Sequence, residues 1–170
     1  MINWTVAARF EYPDCKIYAS KIDYKSAFRR MHLSWQTALR TATQLPEDSL
    51  AILSLRLTFG GRPCPSEWNT LSESVCDLAN ALMEDPQWDP NELFSPQTER
   101  LPKMKSLADD IPIAKAKRLV VDVPVGNGTK AEVFIDDTTS LAVDLPGSAN
   151  IKRMEGAALL AIHTVARPPQ

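Results

Sequence analysis

Between Arg62 and Pro86 the chain reads "RPCPSEWNTLSESVCDLANALMEDP", and no other stretch restricts the fold as much. Apolar residues recur at Trp68, Leu71, Val75, Leu78, Ala79, Leu82 and Met83. Intervals of three and four place them as one stripe on a helix of about five turns, predicted near 65–84. Pro65 falls in the first turn, where its missing N–H leaves no bond unmade. The prolines of "EDPQWDP" stop the helix, because proline resists helical continuation. A stripe of this length must lie on another apolar surface.

The flanking sequence offers that surface as strands. "KIYASKID" alternates and predicts a strand near 16–23. "LAILSLRLTF" is dense in Leu and Ile, ends at Gly60-Gly61, and predicts a buried strand near 50–59. "RLVVDVPV" and "KAEVFID" flank "GNGT", and an Asn-Gly pair between apolar runs predicts a hairpin of strands near 118–125 and 131–136. "TSLAVDL" adds a strand near 138–145, completing a three-strand meander. "SAFRRMHL" predicts a turn or two of helix. "NIKRMEGAALLAIHTVA" predicts a closing helix near 150–165, with Ile151, Met154, Ala158, Leu159 and Ile162 on one side and Gly156 weakening it slightly. The class is α+β: an antiparallel sheet packed on two helices.

A chain of 170 residues with 44% hydrophobic content suits one domain with a real core. The stretch near 85–112 is rich in proline and without periodicity, and is read as an insertion. Arg100 to Arg118 holds six basic and two acidic residues, a solvated face or a surface for phosphates. Three cysteines without CxxC spacing and two distant histidines argue against a zinc site and a disulfide framework. The expected setting is reducing and intracellular, cytoplasm or nucleus. The N-terminal segment does not read as a signal peptide and no run suits a membrane span, so neither secretion nor a membrane partner is expected.

Three carboxylates stand at predicted strand ends: Asp23, and the adjacent Asp136 and Asp137. An Asp-Asp pair in a hairpin is by itself most often a turn, since Asp bonds its own backbone there. Carboxylates gathered from separate strands also serve two-metal phosphoryl transfer, in which two Mg²⁺ ions about 4 Å apart activate the attacking oxygen and stabilise the leaving one. Strand alternation puts Glu132, Phe134 and Asp136 on one face and Val133, Ile135 and Asp137 on the other. Both aspartates reach one metal pair only if the chain turns between Ile135 and Thr138.

The segments "KIDYKSAFRRMHL", "LRLTFGGRPCPSEW" and "VFIDDTTSLAVDL" occur in that order over roughly residues 16–145. Together they resemble the three palm motifs of retrotransposon-type reverse transcriptases, RNA-directed DNA polymerases of transposable elements. The resemblance implies a single palm-like domain over 1–170, with fingers truncated and thumb and RNase H absent. It implies Asp23, Asp136 and Asp137 as catalytic metal ligands for two Mg²⁺ (or Mn²⁺) ions. It implies Phe28 as the steric gate against a 2′-hydroxyl, and Phe59, Gly60 and Pro63 around the nucleotide. The substrates would be dNTPs on an RNA or DNA template-primer. Lys25, Arg29, Arg30, Lys115, Lys117 and Arg118 are candidate nucleic-acid contacts, and Arg9, Lys16 and Lys21 further basic groups near the same motif. Two departures stand out: Phe134 replaces the commoner Tyr, and the spacing from Gly61 to Phe134 is long. The expected activity is nucleotidyl transfer, weak or absent in this chain alone. The alternative is a non-catalytic or co-opted palm module that binds nucleic acid or a protein.

Overall fold

The computed structural model describes residues 1–58, 61–62, 64–93 and 113–166. In chain order the described elements are α1 (Ile2–Glu11), β1 (Ile17–Asp23), α2 (Trp35–Arg40), β2 (Thr43–Leu45), β3 (Leu50–Ile52), α3 (Cys64–Glu84), β4 (Thr129–Phe134), β5 (Asp137–Val143) and α4 (Asn150–Val165). The architecture is mixed α+β. β1, β5 and β4 form an antiparallel sheet in that order, and β2 and β3 form a separate two-stranded ribbon.

The predicted long helix is α3. Its buried residues Cys64, Trp68, Ser72, Val75, Cys76, Ala79 and Met83 follow helical intervals along one side. That side meets α4 and β4. Trp68, Val75, Ala79 and Met83 share the main core with Ala131 and Ala142 of the sheet and Met154, Ala157 and Ala161 of α4. Small alanines on the sheet and on α4 leave room for the bulky α3 residues, which permits close interdigitation. Gly156 is one such concession: a Cβ there would stand 3.3 Å from the ring of Trp88, so the helix accepts a glycine to let that ring in. The other sheet face is covered at its lower half by α1, whose Trp4 and Ala8 pack on Val125, Leu141 and Val143.

Two predicted strands are corrected. Among the described residues of the 50–59 run only Leu50–Ile52 is strand, paired with Thr43–Leu45 through a turn in which Ser49 takes a left-handed φ of 51°. It is not buried: Leu50 and Ile52 are 59% and 55% exposed, because among the described residues no helix or second sheet layer covers this ribbon. Residues 118–125 are not a strand, and the meander is therefore absent. The edge of β4 that a 118–125 partner would use is already closed by α3. The Asn80 side chain donates Nδ2–H to the Ala131 carbonyl (3.0 Å) and accepts the Ala131 N–H on Oδ1 (2.9 Å). The third strand of the sheet is β1 instead.

The "GNGT" signal marks a different device. Asn127 Oδ1 accepts the N–H and hydroxyl of Thr129, and Gly128 sits at φ +86°, where a Cβ would press on Asn150 and Val143. Asn150, opening α4, donates to the carbonyls of Asn127 (2.9 Å) and Val143 (3.1 Å). These bonds lock helix, turn and strand where β4 begins. The first part of the 85–112 insertion is also fixed: Arg153 donates to the carbonyls of Asp85 (2.7 Å) and Trp88 (2.7 Å) and lies over the Trp88 ring. Residues 94–112 lie outside the described residues.

Candidate functional site

β1 and β5 pair so that Asp23 stands directly opposite Asp137. Like charges facing across a sheet are destabilising, so this pair is not there for stability. Lys21 offsets part of the cost: its Nζ lies 2.8 Å from Asp137 Oδ2. The hydrogen bond to Asp137 holds the Lys21 ammonium above its ordinary pKa, and Asp23 and Asp136 act in the same direction.

β4 and β5 are joined by a two-residue tip. Phe134 pairs with Asp137, which leaves Ile135 and Asp136 as the loop. The chain thus turns within the predicted interval. Ile135 takes φ +56°. A β-branched residue there is a steric outlier, and such strain costs on the order of 1–3 kcal/mol. The turn rotates Asp136 out of the strand alternation.

Asp136 and Asp23 line one cleft of about 360 Å³ together with Tyr24, Ser26, Ala27, Phe28 and Arg29. The turn after β1 shapes it. Ser26 adopts φ 58°, and Phe28–Arg30 forms a single 3-10 turn. This places the half-buried Phe28 ring and the exposed Arg29 beside the carboxylates. Two strands distant in sequence therefore bring one carboxylate each to a shared cavity.

The donors at this cleft are oxygens, which suits a hard divalent cation such as Mg²⁺ or Mn²⁺. Among the described residues no group of three or more His, Cys, Asp or Glu could hold a metal by itself. Mg²⁺ is commonly held by one or two carboxylates plus substrate phosphates, and Asp23 and Asp136 meet that pattern. Asp137 is engaged by Lys21.

The buried residue beneath the cleft is Trp68. It is 0% exposed, and its Nε1–H donates to the Ile135 carbonyl at 3.0 Å. Its ring meets Tyr24 edge-on, centroids 5.2 Å apart, and Phe28 at 6.3 Å. Tyr24 Oη and Thr138 Oγ1 are buried here without a well-formed hydrogen bond. Burial raises the Tyr24 phenol above its ordinary pKa, and the nearby Thr138 hydroxyl partly offsets this. Sequence reading placed Trp68 only in the helix stripe. The available signal was an indole, with its obligate donor, at a fully buried position.

The remaining predicted residues scatter. Phe59, Gly60 and Pro63 lie outside the described residues. Gly61 is described, and a Cβ there would come within 2.7 Å of Cys64 Sγ, so any larger residue would force that side chain at the start of α3 to shift. Lys25, Arg29 and Arg30 share the turn after β1, where Arg30 bonds the Lys25 carbonyl at 3.1 Å. Lys115, Lys117 and Arg118 are exposed on the irregular segment before β4. Arg118 borders a separate groove against α1, with Ala7, Phe10 and Glu11, rather than the carboxylate cleft.

No protein-family model, curated protein or solved structure matches the chain. Among the described residues no helix is long and apolar enough to cross a membrane.

Proposed function

We propose that this chain is the palm-like domain of a retroelement RNA-directed DNA polymerase, catalysing two-metal nucleotidyl transfer from a dNTP to a primer 3′-hydroxyl. The reading rests on the three-motif resemblance. Its main structural support is the convergence of Asp23 and Asp136 on one cleft that also carries Phe28 and Arg29. Two divalent cations bound there would supply Lewis-acid stabilisation of the attacking and leaving oxygens.

The chain's own residues divide the remaining work. Asp23 and Asp136 hold the cations, and the Lys21–Asp137 pair keeps the third carboxylate aside. Phe28 fills the sugar side of the cleft, where a 2′-hydroxyl would collide with its ring. Arg29 offers a fixed positive charge to the phosphates, a strong interaction where it is charge-assisted. Lys25 and Arg30 extend that charge toward the template-primer.

Primer extension on poly(rA)/oligo(dT) with Mg²⁺ or Mn²⁺ tests the reading. We expect slow, cation-dependent extension by the wild type and none by Asp136→Asn. Equal extension by both would remove Asp136 from the metal site. Absence of extension in both would remove autonomous polymerase activity and leave the second reading, a non-catalytic palm module that binds nucleic acid or a protein. The Lys21–Asp137 ion pair favours that second reading, since it occupies one of the three carboxylates.

A further inference from the structure

We propose that Trp68 is a positioning residue that couples the two cleft aspartates, holding Asp23 and Asp136 in register from beneath. The inference rests on the proposed cation site and concerns how that site is kept in shape. Three contacts carry it. The indole N–H holds the carbonyl of Ile135, the residue just before Asp136. The ring packs edge-on against Tyr24, the residue just after Asp23. It also packs on Phe28, which lines the same cleft. One side chain thus touches the immediate neighbour of each carboxylate, although one carboxylate ends β1 and the other lies on the β4–β5 turn.

The bond to Ile135 matters because Ile135 is strained. A β-branched residue at φ +56° persists only if its surroundings over-determine it. Trp68 supplies that restraint: it is fully buried, sits on the longest helix of the described chain, and aims its one polar atom at the strained peptide. Without the bond the tip can relax, and Asp136 turns with it. Sheet pairing alone does not prevent this, since Ile135 and Asp136 lie outside the β4–β5 register.

The test uses Mn²⁺ binding, read by the electron paramagnetic resonance signal of free Mn²⁺. Trp68→Phe keeps an aromatic ring and removes the donor. We expect its Mn²⁺ dissociation constant to rise about tenfold, the worth of one hydrogen bond. Ile135→Gly in the same chain removes the strain, so the double variant should recover affinity close to wild type. A role limited to core packing predicts no such rescue. Unchanged affinity in Trp68→Phe, or a double variant no better than the single one, would overturn the coupling. A wild type that binds Mn²⁺ no better than Asp23→Asn/Asp136→Asn would instead overturn the cation site, and the coupling with it. Should Trp68→Phe fail to fold, the assigned Trp68 indole resonance of the wild type decides. Mg²⁺ should shift it in the wild type and not in Asp136→Asn, and an unmoved resonance would overturn the proposal.

Discussion

The two ends of the three-stranded sheet are built on opposite terms. Where β4 begins and β5 ends, Asn127 and Asn150 satisfy the turn, the strand end and the helix start together, and a glycine takes the left-handed position. At the other end, two aspartates face each other across the ladder, an isoleucine takes the left-handed position, and two buried hydroxyls lack a well-formed bond. The same sheet carries a relaxed end and a strained one. Strain and like charge collected at one place are the usual signature of a site shaped for something other than stability.

That contrast can be broken by substitution, and the largest effect belongs at the relaxed end. Asn150→Ala should cost about 2–3 kcal/mol in urea unfolding, because it leaves two carbonyls, Asn127 and Val143, without their donor. It should leave Mn²⁺ affinity unchanged. A loss of cation binding would show that the ends are not independent. Next in size, Ile135→Gly should be more stable than Ile135→Ala by roughly 1 kcal/mol, since both lose the isoleucine side chain packed on the core and only glycine relieves the left-handed strain. Equal stability of the two variants, or a more stable alanine variant, would mean that the tip is not strained.

Asp23→Asn should stabilise the fold by about 0.5 kcal/mol, since it removes a directly opposed like charge. The gain should come with loss of cation binding, and a destabilised variant would count against the contrast. The smallest effect serves as a control away from both ends. Burial raises the Glu155 carboxyl above its ordinary pKa, and Oε2 is buried without a bond. A carboxyl with a raised folded pKa loses stability as pH rises through that value. Glu155→Gln should therefore match the wild type in acid, below the usual carboxylate range, and exceed it slightly in melting temperature at neutral pH. A constant difference at all pH values would contradict this.

The relaxed and strained ends differed in how far the sequence revealed them. α3 and α4 were legible because their apolar residues keep helical spacing over several turns. β1, β4 and β5 were legible because alternation survived in short runs. The 50–59 run misled because apolar composition is not burial: Leu50 and Ile52 lie on a ribbon that nothing in the described chain covers, and Leu55 beyond it is exposed as well. Residues 118–125 misled because Asn127 and Gly128 serve a side-chain cap instead of a hairpin, and no local pattern shows that Asn80, far away on α3, closes the β4 edge. α1 was not anticipated, although Trp4 and Ala8 stand four residues apart. At the site, the sequence named Asp23, Asp136 and Phe28, and these line one cleft. It made Asp137 the last of the metal ligands, with a less direct contact; the register sets Asp137 opposite Asp23, and its carboxylate pairs with Lys21. The hold of Trp68 on Ile135 depends on tertiary packing, which no spacing rule encodes.

One measurement bears most directly on the claim that the strained end exists to hold divalent cations. Melting temperature is followed against Mg²⁺ or Mn²⁺ for the wild type and for Asp23→Asn/Asp136→Asn. A ligand that binds only the folded state stabilises it by about 2.7 kcal/mol at one hundred times its dissociation constant. We expect the wild type to rise by several degrees at saturation, and the double variant to start higher without cation and stay flat. Equal rises in both, or no rise in the wild type, would contradict the claim.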